Sequence, residues 1–182
     1  MAVFNVPVRS EVSELNQQIF DNLNKGLGFV PNLYATFACS DTALNDYLAF
    51  QNRKSSLKAK EREVVNLVVS QINECAYCLA AHTALGKMNG FTDDQILEIR
   101  RGEVYFDQKI SALTNFVKET TINRGKPNAS TTDALLEAGY TKENIIDILV
   151  VIGDKIVSNF IHGVTQIPVD FPAAPALENQ LV

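Results

Sequence analysis

A chain of 182 residues, 46% hydrophobic and 20% charged, has the composition of a globular protein with enough chain to bury a core, which excludes a disordered polymer. Its net charge of -5 leaves no basic stripe for phosphate contacts, so nucleic acid and anionic membrane surfaces are excluded as partners.

The start, MAVFNVPVRSEVSEL, lacks a basic segment followed by an apolar run and does not read as a secretory leader. From there apolar residues recur at spacings of three and four, with no alternating run bounded by hairpin turns, and the fold class is all-α. A first helix is expected over 10–25, stopped by the glycines of KGLGFVP, and Pro31 can open a second, PNLYATFA. Ser40 or Asp41 can cap a third helix running to about Arg53. Ser56 can cap a fourth through LKAKEREVVNLVVSQIN, where Val64, Leu67, Val68 and Ile72 share one face. A break is expected at Asn73, the residue in that region suited to a left-handed helix end, so that Cys75 falls in the first turn of a new helix.

GFTDDQILEIRRG carries a Thr92–Gln95 capping box and a Gly102 stop, and the next helix runs from Asp107 to Gly125. A short helix begins near Thr131, and a long one follows Thr141 until Gly163. The long helix contains the most apolar stretch of the chain, but Asp147, Gly153, Asp154 and Lys155 interrupt it short of a membrane span. The tail VTQIPVDFPAAPALENQLV, with three prolines, is expected to run extended over the surface or a neighbouring subunit. GFTDDQILEI and GYTKENIIDI echo one another, which reads as one helix-entry signal used twice: a glycine stop, a threonine cap and an acidic first turn.

The chemistry is concentrated in QINECAYCLAAHTALG, where Cys75, Cys78 and His82 stand as C-x-x-C-x-x-x-H in a chain of three Cys and two His. At about 100° per residue the three share one helix face, with Cys75 and Cys78 in disulfide range and His82 one turn beyond Cys78. Leu79 rather than His follows Cys78, which excludes haem attachment. The missing leader and span imply a cytoplasmic location, where such a pair is more often redox-catalytic or metal-binding than a permanent staple. A helix N-terminus at Cys75 lowers its thiol pKa, against which Glu74 works. A turn at Asn73 would bring Glu63 beside His82, and a carboxylate there fixes the imidazole tautomer and raises its basicity. Glu61 competes for that position.

Each of these residues has a second reading. Cys75, Cys78 and His82 could ligate zinc with Cys39 or His162 as a fourth ligand, although structural zinc usually draws on two separated pairs. Cys39 reads as a buried hydrophobe. His162 either meets a helix C-terminus or lines a pocket. Tyr77 either offers its hydroxyl to the site or packs.

Residues 61–92, EREVVNLVVSQINECAYCLAAHTALGKMNGFT, resemble the core of the AhpD-like alkylhydroperoxidases within the carboxymuconolactone decarboxylase superfamily. Glu63, Cys75, Cys78 and His82 fill that group's acidic, C-x-x-C and His positions, while Tyr77 stands where the namesake protein has a histidine. GFVPNLYATFA and SNFIHGVTQIPVDFP are similar to flanks of the longer, peroxidase-related members.

The resemblance implies one AhpD-like domain over 1–182, with N-terminal helices at 1–56, the core at 57–102, C-terminal helices at 103–163 and the tail at 164–182. It implies a helical bundle assembled into trimers or hexamers, a hydroperoxide substrate and no bound cofactor. Cys78 would attack the peroxide, Cys75 would resolve the product to a disulfide, and His82 and Glu63 would shuttle protons. The reductant would be a lipoyl-bearing or thioredoxin-like protein. A lactone decarboxylase-like acid–base enzyme and a non-enzymatic redox-sensing or structural oligomer are the other function classes. The apolar faces at VVNLVV and IIDILVVIG point separately to self-association.

Overall fold

Helices account for every regular element in the computed structural model, which describes residues 4–177; residues 1–3 and the last five of the expected tail lie outside the described residues. The described chain is all-α, as expected. It divides into two compact units, one of residues 4–54 and 160–170 and the other of residues 55–159 and 171–177.

The first unit holds a 3-10 turn, Arg9–Glu11, then α1 (Glu14–Leu27), α2 (Asn32–Phe37), α3 (Ala43–Gln51) and the last turns of α9. α1 starts later than position 10 because the Glu11 carboxylate accepts from the Val8 N–H at 2.8 Å and closes the preceding turn; Ser13 then caps the helix. Gly28, at φ 83, ends it. Pro31 precedes α2 as expected, and the half-buried Asn32 N–H there donates to Asp170 Oδ2 at 2.7 Å. Phe37 stacks on Tyr47 with ring centroids 4.1 Å apart, tying α2 to α3.

The second unit is built around α4 (Ala59–Ile72), against which α5 (Ala76–Met88), α6 (Asp93–Arg101) and α7 (Gln108–Ile122) pack. α8 (Ala129–Glu137) lies on α7, and α9 (Lys142–Thr165) supplies its residues up to 159. α4 is rich in valine, a mediocre helix former, yet Val64, Val65, Leu67, Val68 and Val69 are all fully buried. Every residue of VVNLVV is buried, so this stretch is consumed by the chain's own packing and offers no face for self-association. Ile96, Ile99, Leu113, Val117, Leu135 and Ile148 complete that core, each such side chain contributing about 1.5–3 kcal/mol of burial.

Two caps differ from expectation. α4 begins after Lys58, whose N–H donates to the Glu61 carboxylate at 2.8 Å. Ser56 serves instead as a hydrogen-bond donor to Asp147 of α9, its hydroxyl lying 2.7 Å from Oδ2. α9 passes Gly163 and continues to Thr165, because helical glycine costs only about 1 kcal/mol and Gln166, at φ 50, makes the turn. The Thr92–Gln95 capping box and the left-handed Gly102, at φ 72, stand where the sequence places them.

Candidate functional site

The site begins at the joint between α4 and α5. Cys75 N–H donates to Ser70 O at 3.0 Å and Glu74 N–H to Gln71 O at 3.1 Å, the paired bonds of a Schellman ending. The left-handed residue is Glu74, at φ 53, rather than the expected Asn73, which sits at φ -87. The Asn73 amide is engaged elsewhere, donating to Asn159 Oδ1 of α9 at 3.0 Å. Cys75 is then the N-cap of α5, not a first-turn residue, and its sulfur accepts from the Cys78 N–H at 3.3 Å.

This geometry sets the two sulfurs face to face. Cys75 Sγ lies 2.6 Å from Cys78 Sγ; both are free thiols and both are buried. The interaction between the two sulfurs is the largest influence on each group. It lowers the Cys78 thiol from its ordinary 9.0 to about 7; burial opposes the shift, and the Lys155 charge and hydrogen bonds from Asn159 and Ser158 assist it. The same interaction, with burial, pushes Cys75 up. The two thiols are therefore shifted in opposite directions, Cys78 down and Cys75 up.

His82, one turn after Cys78 on α5, lies between two charges. Its Nδ1 is 2.9 Å from Glu63 Oε2 of α4, and its Nε2 is 3.1 Å from Lys155 Nζ of α9. An ammonium only donates, so Nε2 accepts and the ring proton sits on Nδ1, directed at Glu63. The other Glu63 oxygen accepts from Asn66 at 3.2 Å. Burial would raise the Glu63 pKa, but His82, Lys155 and Asn66 together hold it below its ordinary 4.5.

The joint therefore brings Glu63 and His82 together, as the antiparallel turn leads one to expect, and brings Cys75 to Cys78. The two His82 ring nitrogens are engaged by Glu63 and Lys155 rather than by Cys78.

Lys155, Ser158 and Asn159 are the residues that sequence reasoning missed. They follow Ile148, Val151 and Ile152 at helical spacing, so the buried stripe of α9 turns polar where it passes the sulfurs. That substitution of polar for apolar residues along one stripe was the available signal.

The remaining candidates are placed as follows. Glu61 caps its own helix and lies 3.9 Å from Lys109, leaving Glu63 as the partner of His82. Cys39 is exposed, not buried as expected, because it falls in the turn after α2. No three His, Cys, Asp or Glu side chains among the described residues converge as metal ligands. His162 is buried in the last turn of α9, where burial lowers its pKa and a hydrogen bond with the Ile167 backbone partly offsets that. The buried Tyr77 ring packs edge-on against Phe171 of the tail, 5.6 Å between centroids. The tail also lays the Pro175 carbonyl 2.7 Å from the buried Arg100.

Residues 41–119 match the carboxymuconolactone decarboxylase family model. Among solved structures, the chain is similar to an uncharacterized peroxidase-related protein with an alkylhydroperoxidase AhpD core from Ralstonia eutropha JMP134. The TM-score is 0.83 at 21% identity over 92% of this chain and 91% of that one. An uncharacterized peroxidase-related protein from Silicibacter sp. TM1040 superposes with a TM-score of 0.80 at 23% identity over 94% and 91% of the two chains. The debrominase Bmp8, in complex with 2,3,4-tribromopyrrole, does so at 0.75 and 13% identity over 92% and 91%. No curated protein matches the chain. None of the described helices is long and apolar enough to cross a membrane.

Proposed function

We propose that this protein is a dithiol peroxidase in which Cys78 reduces a hydroperoxide and Cys75 resolves the product. The observation that carries the reading is the pair of buried sulfurs 2.6 Å apart, of which Cys78 is the one whose thiol is lowered, to about 7. Attack of the Cys78 thiolate on the hydroperoxide forms an S–O bond and breaks the O–O bond. The alkoxide leaves and takes up a proton, for which we propose the hydrogen-bonded His82–Glu63 pair as the relay. The Cys78 sulfenic acid then condenses with the Cys75 thiol to give a disulfide and water, before further oxidation. Two electrons from an external dithiol, a lipoyl-bearing or thioredoxin-like protein, restore the pair. The apolar side chains that α9 leaves exposed, Ile146, Leu149 and Val157, suit a homo-oligomer such as a trimer or hexamer.

The same dithiol could deliver its two electrons to a carbon–halogen bond, a reading favoured by the shared fold of the debrominase Bmp8. Turnover with an alkyl hydroperoxide and dihydrolipoamide, measured for wild type, C78S and C75S, tests the proposal. Loss of turnover in both variants is expected. Undiminished activity in C78S would leave an acid–base enzyme, stoichiometric oxidation without turnover a redox switch, and faster turnover with a brominated pyrrole a dehalogenase.

A further inference from the structure

Lys155 sits in an unusual place for a lysine. It is 3% exposed, on the face of α9 that also carries Ile148, Val151 and Ile152. Burying an ammonium costs several kcal/mol unless it is paired. Its carboxylate neighbour, Asp154 Oδ2, is 3.5 Å away, and the other Asp154 oxygen is buried with no hydrogen-bond partner. Its closest partner is instead the neutral acceptor His82 Nε2, at 3.1 Å. A lysine kept for stability alone would be better served by a well-made carboxylate bridge, so the fold holds this cation where its charge acts on something else.

We infer that Lys155 is a positioning residue of the dithiol site, whose buried charge keeps Cys78 in its thiolate form while its hydrogen bond to Nε2 fixes the His82 proton on the Glu63 side. The inference rests on the reading that Cys78 is the nucleophile. The groups that bear on the Cys78 sulfur are Cys75 at the start of α5 and Lys155, Ser158 and Asn159 on α9. Behind Lys155 stand His82, Asp154 and, across the imidazole, Glu63. Among them Lys155 is the one cation, and its charge adds to the effect of Cys75 in favouring the Cys78 thiolate. The Lys155 charge also helps hold Glu63 ionised.

The test is the pH dependence of iodoacetamide alkylation at Cys78 in the fully reduced, full-length protein, followed by mass spectrometry, with no peroxide present. The wild-type midpoint is expected at about pH 7. Lys155→Met should move the midpoint upward by a pH unit or more and slow alkylation at neutral pH roughly tenfold, since each unit of pKa is a factor of ten in thiolate. Lys155→Arg should restore most of the wild-type profile, and Lys142→Met, at an exposed position of the same helix, should leave it unchanged. Because Lys155→Met strands Asp154, the double variant D154N/K155M is measured beside it and should show the same upward shift. An unshifted midpoint in either charge-removing variant overturns the inference. So does failure of both to fold, which would make Lys155 a structural cation. Absence of peroxide turnover in the wild type would defeat the proposed function and leave this measurement standing.

Discussion

Lys155 Nζ and Glu63 Oε2 approach opposite nitrogens of the His82 ring, at 3.1 and 2.9 Å. Three helices, α4, α5 and α9, each supply one member of this row. The row turns His82 from a partner of the sulfur, which its four-residue spacing from Cys78 suggests, into a bridge between a cation and a carboxylate.

Glu63→Gln should remove an acid-sensitive part of the stability. The Glu63 carboxyl is held below its ordinary 4.5 in the folded state, so its contribution is present above that value and lost as the pH falls through the lower, folded one. Urea unfolding at about pH 7 should find E63Q less stable by about 1–3 kcal/mol, the cost of an imperfectly satisfied buried group. At about pH 3.5 the gap to wild type should narrow. A gap that stayed constant would mean that Glu63 is not ionised in the folded protein.

Removing the Cys75 sulfur should weaken the nucleophile. Cys78 is lowered to about 7 chiefly by its interaction with Cys75, so its reaction with hydroperoxide should rise through about pH 7 and level off above it. In C75S the same profile should lie at higher pH, because a neutral hydroxyl at a different reach replaces the thiol. Stopped-flow rates across pH for the two proteins read this directly, and coincident midpoints would show that Cys75 does not set the Cys78 charge.

Glu74→Gly should stabilise the joint between α4 and α5. A non-glycine residue at φ 53 carries roughly 1–2 kcal/mol of strain that glycine does not, partly offset by the greater chain entropy of glycine when unfolded. The net expectation is a gain of up to about 1 kcal/mol by thermal or urea unfolding, and a loss for Glu74→Val, whose branched carbon tolerates that conformation least.

How far the chain could be read beforehand depends on whether each signal is local. The all-helical class, the Thr92–Gln95 capping box and the Gly102 stop rest on neighbours within one turn, and they stand as expected. The pairing of Glu63 with His82 was legible because one break between two helices suffices to make it. Ser56 was misassigned because Asp147, 91 residues away, takes its hydrogen bonds. Asn73 has the composition of a left-handed helix end, but its amide is drawn to Asn159 and the strain passes to Glu74. Lys155 was legible only as a charge breaking an apolar stretch, since its partner His82 lies 73 residues earlier and nothing local joins them.

The central claim is that Cys78 takes the oxygen and Cys75 closes the disulfide, and a single turnover measures it most directly. Reduced protein is mixed with one equivalent of an alkyl hydroperoxide, and both cysteines are mapped by mass spectrometry with a sulfenic-acid trap present. The account predicts a Cys75–Cys78 disulfide in the wild type, a trapped sulfenic acid on Cys78 in C75S, and no peroxide consumed by C78S. Peroxide consumption by C78S at the wild-type rate, or a wild-type protein that keeps both thiols, would contradict it.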